Sequence, residues 1–196
     1  MNKKWITIIV VVVIIFGVYS FFSGKYNGMV TKEEAVNTEW SNVETQYQRR
    51  NDLIPNLVNT VKGFAQQEQD VLVGVTEARA KASGMNISAD NLTQENLQQF
   101  QAAQGQLNSA LSRLLVTVER YPELKSNQNF LELQAQLEGT ENRIAVARRR
   151  YNETTQDYNT YIRVFPNTMF AGMFGFDRKP LFKADEGSEN APKVEF

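Results

Sequence analysis

Residues 5–22, WITIIVVVVIIFGVYSFF, hold no charged side chain, and no other stretch restricts the chain's possible folds as much. A backbone in hydrocarbon must pair its own N–H and C=O groups, so such a run can enter a membrane only as a helix or part of a closed barrel. As a helix it reaches about 27 Å at 1.5 Å per residue, close to the roughly 30 Å of a bilayer's hydrocarbon. Trp5 stands at one end and Tyr19, Phe21 and Phe22 at the other, where aromatic rings favour the interface with water. A cleaved signal peptide is the competing reading, supported by Lys3 and Lys4 and loosely by Val18 and Ser20. The length of the apolar run, followed by Phe21 and Phe22 instead of a small-residue site, argues against it. We read residues 1–4 as a short flank and 5–22 as a single-pass transmembrane helix whose first partner is the lipid bilayer.

Charge gives the orientation. Lys3, Lys4 and the terminal amine precede the span, whereas Lys25 and Lys32 after it are offset by Glu33 and Glu34. The positive-inside bias is small and points to the N-terminus in and the domain out. The whole chain carries −1, and taking away Lys3 and Lys4 leaves the remainder at −3. Without a basic surplus, nucleic acid is not expected as a partner. The chain has no cysteine and no histidine. Disulfides, thiolate metal sites, cysteine nucleophiles and lipidated cysteines are therefore excluded, and the commonest general base and metal ligand is missing.

Proline and glycine are scarce between 26 and 165, which suits long helices. A 3.5-residue spacing, the mark of bundle packing, recurs three times. It runs through Tyr26, Met29, Glu33, Val36, Trp40, Val43, Tyr47, Arg50, Ile54, Leu57, Val61 and Phe64, then through Leu97, Phe100, Gln104, Leu107, Leu111, Leu114, Val118 and Tyr121. The last arm gives Phe130, Leu133, Leu137, Thr140, Ile144, Ala147, Tyr151, Thr154, Tyr158, Tyr161 and Phe165. The fold expected over 26–165 is all-α, an antiparallel bundle of long helices. Asn91 or Thr93 is placed to cap the middle arm and Ser126 or Asn127 the last. Tyr121-Pro122 and Phe165-Pro166 end two arms. Arm one is about twice as long as arm two. A kink or split near Pro55 is expected, with Asp52 as the cap of a new helix and Pro55 in its first turn. Four helical arms are favoured, and three long helices are the alternative. Residues 166–182 form an apolar, glycine-broken segment that docks on the bundle or on a partner. Residues 183–196 are polar and expected to be disordered.

Few residues suggest chemistry. Glu138 and Glu141 are neighbours on one helix face, but a bundle di-iron site wants paired Glu-x-x-His ligands, so solvated or salt-bridged glutamates are the simpler reading. Arg50, beside Arg49, lies on the apolar stripe, where a charge is costly unless paired. Glu141 is the partner expected for it, in a register-setting polar pair. Arg148, Arg149 and Arg150 point in three directions on a helix. They offer either a lipid or partner contact or intrahelical pairs such as Glu141 with Arg148 and Arg149 with Glu153. The step Tyr-Asn recurs at Tyr26-Asn27, Tyr151-Asn152 and Tyr158-Asn159. It reads as packing with a wet edge or as a recognition face. Met169, Phe170, Met173, Phe174 and Phe176 make either a plug over one end of the bundle or a docking patch.

These words occur in a known order. Arg49-Arg-Asn-Asp-Leu-Ile-Pro-Asn-Leu-Val58, Val61-Lys-Gly-Phe-Ala65 and Glu68, Glu119-Arg-Tyr-Pro-Glu-Leu-Lys125, Thr140-Glu-Asn-Arg-Ile144, Ala147-Arg-Arg-Arg-Tyr-Asn152, Tyr158-Asn159 and Phe165-Pro166 resemble the LemA family of bacterial membrane proteins over about 26 to 182. Leu53 to Asn56 stand where the family has its Leu-Ile-Pro-Asn word. Gln66-Gln67 stand where many members carry a histidine before the glutamate at 68. The resemblance implies an N-terminal membrane helix followed by a helical bundle and brings no settled biochemical activity. It also implies a short N-terminus outside the cytoplasm, opposite to the charge reading, whereas lipoprotein-like members imply an extracytoplasmic domain.

The function expected is that of a non-enzymatic, membrane-anchored scaffold or adaptor of the bacterial envelope, with the bundle outside the cytoplasm. It would act through other membrane proteins and self-association, without cofactor, metal or small-molecule substrate. A sensor of the lipid surface or of envelope stress, using Arg148 to Arg150 and the apolar tail, is the alternative.

Overall fold

The computed structural model describes residues 3–65, 67–85 and 87–183. Helix α1 runs without a break from Lys3 to Phe64. Its first part is exposed and is long and apolar enough to cross a bilayer, and its second part carries the first apolar stripe into the bundle. Helix α2 spans Gln69–Ser83, α3 Gln94–Val118, the single-turn α4 Pro122–Lys125, α5 Gln128–Arg163 and α6 Asn167–Phe174. The bundle thus has four long arms, the lower part of α1 with α2, α3 and α5. The described residues from α1 to α6 are helices, turns and connections.

The division of the first arm is not where the sequence suggested it. Pro55 lies inside α1, and Asp52 does not cap a new helix but accepts a hydrogen bond from Gln48 Nε2 at 2.8 Å. The turn falls instead near Ala65–Glu68, ahead of α2. A helical proline removes an N–H from the carbonyl four residues earlier, here that of Asn51. Arg79 Nε of α2 donates to that carbonyl at 2.8 Å. The lost intrahelical bond is replaced by a bond between helices.

Pairings fix the directions. Lys32 bonds Asp157 and Arg50 bonds Glu141, so α5 runs antiparallel to α1. Lys81 of α2 reaches Gln106 of α3 at 2.8 Å. Thr93 caps α3 through Asn96 N and Asn127 caps α5 through Phe130 N. Trp40 Nε1 donates to Ile87 O at 2.8 Å, which ties the α2–α3 connection back onto α1.

The stripes of α1 and α3 are buried nearly as spaced, from Met29 to Val61 and from Leu97 to Val118, with Glu33 only partly covered; Phe64, at the end of its helix, is 42% exposed. In α5 the spacing holds to Tyr151 and again at Tyr158, and the positions between and beyond slip by one residue. Thr155 and Ile162 are buried where Thr154 and Tyr161 were expected, and Phe165 is 80% exposed. A straight helix of 3.6 residues per turn drifts about 20° per heptad from a 3.5 repeat, so a long stripe passes to the next residue. Buried apolar residues form two clusters. One nearer the exposed apolar end of α1 contains Met29, Trp40, Tyr47, Phe100 and Tyr151, and a distal one contains Ile54, Leu57, Leu107, Leu114 and Phe130.

Candidate functional site

Between the two clusters lies a polar layer. The Arg50 side chain is 2% exposed. Its Nη1 donates to Asn108 Oδ1 at 2.8 Å and Glu141 Oε2 at 3.0 Å, its Nη2 donates to Gln104 Oε1, and its guanidinium lies 5.0 Å from the Tyr47 ring centre. The helices bring Arg50 and Glu141 together as the stripe implied. Gln104 and Asn108 complete the set from α3, so one cation joins α1, α3 and α5. Arg49 faces water. Asn56 is exposed, and its carbonyl accepts from Thr60 Oγ1. Glu138 pairs with Gln134 of its own helix.

Above this layer the chain closes on itself. After α6, Gly175 turns the backbone with φ +76°, a left-handed conformation in which glycine carries no side-chain penalty. Residues 177–183 then run extended along α5, opposite to its direction. Tyr158 OH donates to Asp177 O at 2.9 Å and Tyr151 OH to Pro180 O at 2.8 Å. Asn159 gives Nδ2 to Lys179 O and accepts from Lys179 N at 2.8 and 3.0 Å. Asn152 does the same with Phe182 at 3.0 and 2.9 Å. Each carboxamide presents one donor and one acceptor to one residue's backbone, much as a strand edge does. The Tyr-Asn steps are seven residues apart and so share a face, and each acts as one clasp on the strap. Phe182 anchors the end, stacked on Trp40 at 6.0 Å, edge-on to Tyr151 at 5.4 Å and under the Arg148 guanidinium at 4.8 Å. Lys179 also pairs with Glu33 at 2.9 Å. Burial pushes the Tyr151 hydroxyl up to about 12. Burial, with Glu33 and Asp177 nearby, raises that of Tyr158 as well.

The three arginines part company here. Arg148 turns to the strap, over Phe182 and onto Lys183 O at 3.2 Å, rather than to Glu141, which Arg50 holds. Arg149 faces Glu153 at 3.9 Å, both exposed. Arg150 lines a shallow groove with Glu39, Asn42 and Gln46. The step at Tyr26-Asn27 is different in kind: the Tyr26 ring meets Phe174 at 5.2 Å and Phe176 at 5.7 Å.

Two ends complete the picture. At the end nearer the exposed apolar part of α1, Phe170 is buried against Phe22 at 4.8 Å and Phe21 at 6.0 Å, while Met169 and Met173 are 63% and 62% exposed. At the distal end Tyr121 OH donates to Glu68 Oε1 at 3.0 Å, and Arg120 pairs with the same oxygen at 3.1 Å. That hydrogen bond, first among the causes, raises the Tyr121 hydroxyl. Pro122 opens α4 in its first turn. Among the described residues no three His, Asp or Glu side chains converge as metal ligands would.

Sequence reasoning singled out Asn152 and Asn159 in the Tyr-Asn steps without their strap partners, and it missed Phe182 and Arg79. The Tyr-Asn repeat was visible, but an extended segment without periodicity gives no sign of which helix face it will cover. Residues 184–196, expected to be disordered, lie outside the described residues.

Comparison with known proteins follows the same ground. The chain is 27% identical to magnetosome protein MamQ 2 of Paramagnetospirillum magneticum over 176 residues, which cover 81% of this chain and 65% of the relative. It is equally similar to MamQ of Magnetospirillum gryphiswaldense, at 27% with 81% and 64% covered. It is 22% identical to protein LemA of Metamycoplasma hominis, with 89% and 76% covered. The chain therefore spans a little under two thirds of the length of the magnetosome relatives. The LemA family model matches residues 39–196, which include the Arg50 layer, the Pro55–Arg79 link and both α5 clasps, and this chain belongs to the LemA family.

Proposed function

We propose that this protein is a non-enzymatic, membrane-anchored helical scaffold of the bacterial envelope that acts through protein contacts and associates with itself. The observation that carries this reading is the unbroken helix from Lys3 to Phe64. One element is both the candidate span and a wall of the bundle, so the body is held at a fixed angle and height above the membrane, which suits presenting a surface and not a tethered reaction. The buried polar groups support it too. Arg50, the tyrosines and the asparagines of α5 are engaged by the chain's own atoms, and these contacts hold helices and strap in place.

Single cysteines test the self-association directly, because the chain has none of its own. One placed at an exposed position such as Ser112 or Val116 should give discrete crosslinked species in native membranes. A chain that stays monomeric at every exposed position would remove self-association from the proposal.

A second reading, a sensor of the lipid surface, has one observation in its favour, the exposed apolar side chains of Met169, Met173 and Phe165. Charge reversal at Arg149 and Arg150, which are free of the strap, should leave vesicle binding unchanged if those side chains carry it. Loss of binding would return the arginines to the lipid contact.

A further inference from the structure

We propose that α6 is an interfacial helix whose outer face lies in lipid beside the point where α1 leaves the bilayer; this rests on the reading of residues 5–22 as a transmembrane span. The argument is one of position. Phe21 and Phe22 are the last residues of the apolar run, followed by Ser23, Gly24 and the first charge at Lys25, and a run of that length spans about 27 Å as a helix, so its ends lie at the edge of the hydrocarbon. Phe170 of α6 packs edge-on against both rings. The start of α6 is thereby held at the level of that edge, and Phe174 meets Tyr26 one helical turn further out along α1.

The composition of α6 fits the place. Asn167–Phe174 carries no charged residue. Asn167, Phe170 and Ala171 are turned in and buried. Met169 and Met173, four residues apart and so on one face, are turned out at 63% and 62% exposure, and Phe165 just before them is 80% exposed. In water such a stripe is a liability. At the headgroup–acyl boundary it is the buried side of an interfacial helix. Basic groups flank it in the chain. Lys25 sits over the Phe21 ring at 5.6 Å, and the exposed Arg163 closes α5 just before α6, as expected beside anionic headgroups. Lipid is the favoured occupant of the stripe because the patch continues the apolar surface of the span itself. A second copy of the chain would need that surface to end at Phe22.

The test uses the full-length chain in vesicles of phosphatidylcholine with a minority of phosphatidylglycerol. Spin labels are placed singly through Met169→Cys, Met173→Cys, Val12→Cys and Val116→Cys, and collisions with oxygen, which concentrates in lipid, are compared with those of a water-soluble nickel chelate. Labels at 169 and 173 should favour oxygen, as at 12, with a shallower depth, while 116 favours the chelate. Labels at 169 and 173 that behave like 116, with 12 still in lipid, would overturn the placement of α6 and leave the anchor standing. A label at 12 that favours the chelate would overturn the anchor itself. Spin–spin broadening at 173 that vanishes on dilution with unlabelled chain would assign the face to a second copy and overturn the lipid assignment.

Discussion

Arg50 shows how one side chain can join three helices of a bundle. A cation on a core stripe is costly unless its donors are met, and here α3 and α5 supply acceptors for both terminal nitrogens at matching depth, while Nε is buried without one. Removing it leaves the buried Gln104 without its partner, so Arg50→Ala should cost about 3 kcal/mol in chemical denaturation. Glu141 is half exposed, and water can replace its role. Glu141→Gln should therefore cost about 1 kcal/mol or less. Equal losses would mean that the ion pair, and not the buried hydrogen-bond set, carries the layer. At Tyr151 and Tyr158 the sign is set by raised values. A phenol whose folded pKa lies above its ordinary value of 10.0 contributes stability that is whole below that value and is lost as pH climbs through the folded one. Both hydroxyls donate to strap carbonyls, which a phenolate cannot do, so the strap should loosen between pH 10 and about 12. Hydrogen exchange is too fast to follow at that pH, so a fluorophore on the strap at Arg178→Cys is the measure. Its mobility should rise over that window, and with Tyr151→Phe and Tyr158→Phe together the alkaline step should disappear.

At the scale of elements, what the sequence made legible was whatever repeats. Periodicity located the long arms, and the cap choices at Thr93 and Asn127 fell among the residues that capping chemistry singles out. The break in the first arm was misplaced because Pro55 reads as a helix start by its fixed φ. The residue that makes it tolerable, Arg79, is far away in sequence and carries no local signal. That compensation can be measured. With Pro55 present, Arg79→Leu keeps the apolar stem but strips the Asn51 carbonyl of its donor, and should cost about 1–2 kcal/mol. With Pro55→Ala the helix regains its own N–H for that carbonyl, and the same substitution should cost about 1 kcal/mol less. A double-mutant cycle with no coupling would show that Arg79 serves only its own packing. The strap was illegible for a related reason: its pairing is with side-chain amides, so it has neither a strand's neighbours nor a helix's period. Its anchor should still dominate its energetics. Phe182→Ala should cost about 3 kcal/mol, and the exchange of the Lys179 amide near neutral pH should rise with it, since both hold the same segment.

For the molecule as a whole, α1 is the shared part: it carries the candidate membrane span, lines both core clusters and supplies the seat of α6. Orientation of the body relative to the membrane is then a matter of helical phase. One residue inserted in a continuous helix turns everything beyond it by about 100°. An alanine inserted after Gly24 falls between Phe21 and Phe22 on one side and the bundle on the other. It should swing those rings away from Phe170 and leave both core clusters intact. An alanine inserted after Gly17 lies upstream of both rings. It lengthens the apolar run by one residue, a mismatch of about 1.5 Å that tilt absorbs, and leaves the seat of α6 unchanged. The measurement is hydrogen exchange at the Phe170 and Ala171 amides in the membrane-embedded chain, with the amides of Leu107 and Leu114 as the internal reference. Protection of α6 should fall for the insertion after Gly24 alone, while the reference amides hold in both variants. Equal behaviour of the two insertions would mean that α6 is seated by α5 and the strap, and that the span tethers the bundle without orienting it.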